Sequence, residues 1–293
     1  MNLTKELDLA IKALEGGGER GYRVGEREFS AYVTNEAWEG FLAAMPREAY
    51  EAFASGGGDE LSEKRGLPPK MASFGSSSRM IYRLSREKAG FVFEKKLPTT
   101  VGGISHLDGF CDEPGRYLCV EAKCHEFYQK AKTSVSKSYE ALYRYISEAT
   151  YGMITVETAP SRCGRYLEAR YFAEGEELLY FDVKQLISHY LGIATAVLTG
   201  KMTAKQVDFV YLVYDPTDLL LSPSVREAVD EAYARLSYEC NLVDHASLFG
   251  AILSYLKEHH YPDTAVSDYE LELFLYAFTF SLVTHELYPV LLG

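Results

Sequence analysis

Hydrophobic positions along residues 1–14 recur at helical spacing, with Lys5, Glu6, Asp8 and Lys12 set among them. Helical segments continue to residue 70, broken by Gly16-Gly17-Gly18 and Gly56-Gly57-Gly58 and closed by Leu67-Pro68-Pro69, which predicts an N-terminal helical extension. Ser76-Ser77-Ser78 offers N-caps for a helix over 79–87, where Met80, Ile81 and Leu84 share a face. From Ala89 the apolar period falls to two, the mark of strands. Three strands are expected in quick succession: 90–96, with Val92, Glu94 and Lys96 on one side, then 104–111 and 116–124. The pattern weakens over 125–181, where a helix near 136–151 precedes irregular Gly- and Arg-containing sequence. Asp182 stands as N-cap of an amphipathic helix with Val183, Leu186, Ile187, Tyr190, Leu191 and Ala194 on one face and Gly200 as its stop. Residues 206–214 read as a buried strand, and helices are expected over 224–240, 245–258 and 267–291.

Pro114-Gly115, between the second and third strands, suits the central positions of a tight turn. Counting back from it, Asp108 falls opposite Glu121 and His106 opposite Lys123. Opposed side chains on one sheet face have Cβ atoms about 4.5–5.5 Å apart. Two carboxylates that close repel unless one is protonated or a cation lies between them. Mg²⁺ takes such hard oxygen ligands, using only one or two protein carboxylates and keeping waters. Alternation puts Cys119, Glu121 and Lys123 on one side of the third strand, so Lys123 projects beside the carboxylates. There it can orient and activate an attacking water, or offset charge developing on a phosphorane-like transition state. Glu94, on the neighbouring strand, is a further candidate ligand. The competing reading is a hairpin with its charges in solvent. Against it, Tyr117-Leu118-Cys119-Val120 reads as buried, where charge is costly unless used.

Leu107-Asp108-Gly109 followed by Val120-Glu121-Ala122-Lys123 resembles the motif of the PD-(D/E)xK, restriction-endonuclease-like nuclease superfamily, and the order of elements over 76–214 is similar to that family's core. The resemblance implies an α/β fold with a restriction-endonuclease-like mixed β-sheet core (helix, three antiparallel strands, helix, strand) flanked by helices, with N- and C-terminal helical extensions. It divides the chain into an extension over 1–70, a nuclease-like core over 71–215 with an insertion over 125–181, and a C-terminal helical region over 216–293 packed on the core. It also implies a Mg²⁺-dependent deoxyribonuclease, with Mn²⁺ as a substitute. Asp108, Glu121 and the Ala122 carbonyl would hold the metal, Lys123 would serve the water and Glu94 would assist. Gln185 stands where the family often carries a Gln that orders the site or touches substrate, and His189, four residues on, shares the polar helix face with Lys184 and Ser188. Leu107 departs from the family's frequent Pro, and the insertion exceeds a minimal core. Two rival expectations remain: a noncatalytic DNA-binding or assembly module on the same fold, and a metal-dependent hydrolase of a small phosphorylated substrate.

A net charge of -12 argues against nonspecific coating of nucleic acid, which draws on many phosphate contacts from Lys and Arg. Locally the sign reverses: Lys123, Lys130, Lys132, Lys137 and Arg144 are opposed only by Glu126 and Glu140. That run fits a basic cleft or a solvated helix face equally well. No stretch approaches the roughly 18 apolar residues of a membrane span, so no membrane is expected. Five cysteines, an odd number in a long chain, read as reduced thiols and point to the cytoplasm. Cys111, Cys119, Cys124 and His125 lack the spacing of a zinc ribbon or finger. Tyr139, Tyr143 and Tyr145 either stack bases or pack in the core. DNA is the expected partner, and a homodimer through the C-terminal helices would suit the cutting of two strands.

Overall fold

The computed structural model describes residues 3–56, 60–131, 134–150, 154–160 and 166–289. Helix α1 (Leu3–Leu14) is followed by strands β1 (Tyr22–Val24) and β2 (Arg27–Phe29), then by α2 (Asn35–Ala43) and α3 (Arg47–Ala54). The β1–β2 pair is an antiparallel hairpin, so the N-terminal region is not purely helical as expected. Each of its strands is three residues long, too short for a period-two pattern to show. Helix α4 (Ser77–Ser85) starts at Ser76, whose side chain accepts from the Arg79 N–H.

Strands β3 (Phe91–Pro98), β4 (Ile104–Asp112) and β5 (Arg116–Lys123) form the expected antiparallel meander. Glu113 N donates to Arg116 O at 2.9 Å, and Arg116 N to Glu113 O at 3.3 Å, so Pro114 and Gly115 are the turn. The next strands and helix are β6 (Ser134–Ser136), α5 (Glu140–Ala149), β7 (Ile154–Pro160), β8 (Tyr166–Ala173) and β9 (Glu176–Glu177). The stretch expected to be irregular is thus a second small sheet, in which β6, β7 and β9 all pair with β8. Its signal was present in β8, where Leu167, Ala169, Tyr171 and Ala173 are buried and Tyr166, Glu168 and Arg170 are exposed.

Helix α6 (Val183–Leu198) is capped by Asp182, which accepts from Gln185 N, and strand β10 (Gln206–Val213) follows. Helices α7 (Pro223–Leu242), α8 (His245–His259) and α9 (Asp268–Tyr276) lead to strand β11 (Phe278–Thr284). The last strand corrects the expectation of a helix running to 291. Beyond Tyr276, Thr279, Val283 and Thr284 favour extended backbone, and Phe280 stacks on Phe209 at 6.0 Å.

The central sheet has the order β11-β10-β5-β4-β3, with β5, β10 and β11 parallel and β3 and β4 antiparallel, giving a mixed α/β fold. β5 and β10 are buried along almost their whole length, as interior parallel strands are when both faces are covered. α6 lies between this sheet and α8 and is buried nearly all round, with Tyr190 edge-on to Phe209 on one side and Phe249 on the other. Among the described residues, no helix is long and apolar enough to cross a membrane.

Candidate active site

The registers on either side of β4 leave one row unpaired. Between β3 and β4 the ladder runs through Phe93↔Gly109 and resumes at Lys95↔Leu107, passing over Glu94 and Asp108. Between β4 and β5 it runs from Asp112↔Tyr117 to Gly109↔Val120 and stops before Asp108. The register is the one the Pro114-Gly115 turn predicts, but Asp108 meets β5 by another route: its Oδ2 accepts the Ala122 N–H at 2.7 Å. His106 consequently does not sit opposite Lys123. It pairs with Lys96 of β3, and its Nδ1 lies 3.7 Å from Glu94 Oε2. Glu94 itself has φ +51°, a conformation costing on the order of 1–3 kcal/mol for a residue with a side chain. This kink breaks the expected alternation: Val92 and Lys96 are exposed while the Glu94 side chain is only 11% exposed.

Glu121 lies in the buried run of β5 and is 1% exposed. Its Oε2 accepts from His189 Nε2 at 2.9 Å, and Ser105 Oγ lies 2.7 Å from His189 Nδ1. A carboxylate only accepts, so Nε2 is the donating nitrogen of that ring. Glu121 Oε1 is 2.5 Å from Lys123 Nζ, a buried ion pair that occupies this oxygen. Lys123 Nζ also donates to Gln185 Oε1 at 2.7 Å. Gln185 and His189 are therefore not on a solvent-facing surface. Burial of α6 against the sheet turns both onto β5, and His189 is 2% exposed. The close approach depends on Gly192, where a Cβ would come within 2.8 Å of Leu97 Cβ and 3.1 Å of Ser105 Cβ.

Charge at this row is divided unequally. Burial would raise the Glu121 carboxyl, but Lys123 and His189 outweigh it and hold the group below its ordinary value. Burial, then the Glu121 charge, pushes Asp108 well above its ordinary value. Glu94 rises to about 7, through burial first and then Glu60 and Glu121. Burial would lower the Lys123 ammonium, but Glu121, ahead of Tyr211, Glu126 and Asp108, keeps it well above its usual range. Two carboxyls prone to hold protons beside one that is ionised and paired is the separation seen where acid and base roles are divided.

Ser105, Tyr211 and Glu60 were not read from the sequence as part of this site. A serine facing a buried histidine 84 positions away has no local signature. Of the candidate zinc set, Cys111, Cys119 and Cys124 are separate buried free thiols, as is Cys240; Cys163 lies outside the described residues. Among the described residues, no group of three His, Cys, Asp or Glu side chains is arranged as a metal cage. Within the basic run, Lys123 faces inward, Lys130 and Lys137 are exposed and Arg144 pairs with Glu140, while Lys132 lies outside the described residues. Tyr143 is core, Tyr145 packs edge-on to Tyr255, and Tyr139 lines a cleft beside Gln185. No protein-family model, curated protein or solved structure matches this chain.

Proposed function

We propose that the chain is a divalent-metal phosphodiesterase acting on DNA, with a restriction-endonuclease-like core. The observation carrying this reading is that Glu94, Asp108 and Glu121 lie on three successive strands, with Asp108 accepting the Ala122 N–H and Glu121 ion-paired to the buried Lys123 beside it. The donor set suits Mg²⁺ or Mn²⁺: Glu121 Oε1, an Asp108 oxygen and the Ala122 carbonyl are hard ligands, and Mg²⁺ needs few protein carboxylates because it keeps its waters. When bound, the metal supplies Lewis-acid stabilisation of the attacked phosphate. Lys123, held as an ammonium by Glu121, serves as a fixed positive charge for the transition state and orients the attacking water rather than taking its proton. His189 and Ser105 hold the Glu121 carboxylate in place, and Gln185 holds the lysine. Glu94, which exchanges its proton near neutral pH, assists at the edge of the site.

Calorimetric titration with Mn²⁺ and a cleavage assay on labelled DNA test this together. Asp108→Asn should lose both metal binding and cleavage, whereas Lys123→Ala should keep metal binding and lose cleavage. Metal-dependent cleavage that persists in both variants would remove the assignment.

A further inference from the structure

A cleft lies between α6 and the small sheet of the insertion, sharing Gln185 with the candidate active site. It has a volume of about 450 Å³, within the range of small-ligand sites. Tyr139, Tyr143 and Tyr166 line it with aromatic surface, and Ser134, Ser136 and Ser188 with hydroxyls. Lys184, whose Nζ donates to Ser134 O at 3.3 Å, ties the helix wall to the sheet wall and places a cation there, while the Asp182 carboxylate, also in the lining, is engaged as the cap of α6 through the Gln185 N–H. The aromatic side is firmly backed. Tyr143 is buried, its ring lies 5.8 Å from that of Tyr139, and its hydroxyl lies 3.0 Å from that of Tyr171. Tyr166 is 47% exposed, so much of its ring surface is free of protein. Gln185 belongs to both places: it lines the cleft and accepts the Lys123 ammonium.

From this continuity we infer that the cleft takes the unpaired base of a DNA strand whose adjoining phosphate lies at Lys123, so that the substrate is a single strand or a frayed end. The inference rests on the phosphodiesterase reading for the position of that phosphate. The base stacks on Tyr166 and Tyr139, the hydroxyls meet its edge, and Lys184 meets a neighbouring phosphate. Stacking tolerates any base, because every base has a π-face. A paired base has both faces covered by its neighbours and its edge by its partner, so an intact duplex cannot use the cleft.

The test is fluorescence anisotropy of the full chain with a labelled single-stranded oligonucleotide and with a covalently closed duplex circle, which has neither ends nor loops, in chelator so that nothing is cut. Tyr166→Ala and Tyr139→Ala should each weaken the single strand by about fivefold to a hundredfold. Tyr166→Phe, which keeps the ring, should bind as the parent does, and binding of the closed duplex circle should be unaffected by all three. Unchanged single-strand affinity in the alanine variants, parallel loss on strand and duplex, or equally tight binding of an abasic strand would overturn the proposal. So would displacement of the strand by equimolar dTMP, which would make the ligand a free nucleotide. Because no turnover is read, an absence of metal-dependent cleavage fails the phosphodiesterase reading separately, and unchanged tyrosine variants fail the cleft alone.

Discussion

His189 Nε2 stands 2.9 Å from Glu121 Oε2, joining the middle of α6 to the middle of β5 through two side chains that are almost wholly buried. This bond fixes which Glu121 oxygen remains for a cation. Against burial, Lys123 and after it His189 hold Glu121 below its ordinary value, so its contribution to stability is present above the normal carboxylate range and is lost as pH falls below it. His189→Ala should cost about 1–3 kcal/mol, from a buried carboxylate oxygen left without its donor. It should also lower turnover more than it lowers DNA affinity. Denaturant unfolding and steady-state kinetics read the two effects, and an unchanged turnover would show that Glu121 needs no such support.

Glu94 gives the opposite sign. Its carboxyl rises from the ordinary value near 4.3 to about 7, so the folded chain keeps a proton that the unfolded chain has released over that window. Stability should therefore fall as pH rises from about 4.3 to 7, with Asp108 adding to the same slope. Glu94→Gln should flatten the slope and be the more stable chain above about pH 7. Denaturant midpoints at mildly acidic and mildly alkaline pH are the measurement, and equal slopes in parent and variant would contradict it.

Glu239 clamps the approach to α6. It is fully buried, accepts from the N–H groups of Leu179, Tyr180 and Phe181 at 2.8–3.0 Å, and pairs with Arg235 at 2.9 Å. Glu239→Ala should cost at least about 1–3 kcal/mol, because three backbone N–H groups lose their acceptor while Arg235 keeps Glu176 as a partner. Hydrogen exchange at those three amides should accelerate before exchange elsewhere in the sheet does.

Gly75 allows Asp8 and His125 to meet at 3.0 Å, since a Cβ there would overlap Asp8 Oδ1 and crowd His125 Nδ1. Gly75→Ala should destabilise by about 1–3 kcal/mol through forced displacement of that pair. An unchanged denaturant midpoint would show that the pair yields without cost.

Much of this arrangement was legible before the fold was known. The Pro114-Gly115 turn fixed the β4–β5 register, and period-two runs placed all three strands of the meander within a few residues. What escaped was set by distance in the chain. Helical spacing assigned Gln185 and His189 to a polar face, and nothing local showed that α8 would press that face onto β5. The skipped ladder at Glu94 and Asp108 was likewise invisible, because alternation presumes regular backbone and Glu94 departs from it. β11 escaped because its alternation directly follows the helical spacing of α9.

The central claim is that Glu121 and Lys123 form the working centre of a metal-dependent phosphodiesterase. The most direct test titrates Mg²⁺ and Mn²⁺ into parent, Glu121→Gln and Lys123→Ala proteins on labelled single- and double-stranded DNA. The account predicts metal-dependent cleavage by the parent and a loss of at least about a hundredfold in each variant, the scale for removing one preorganised electrostatic group. Cleavage at parental rates in either variant, or none by the parent at any metal concentration, would contradict it.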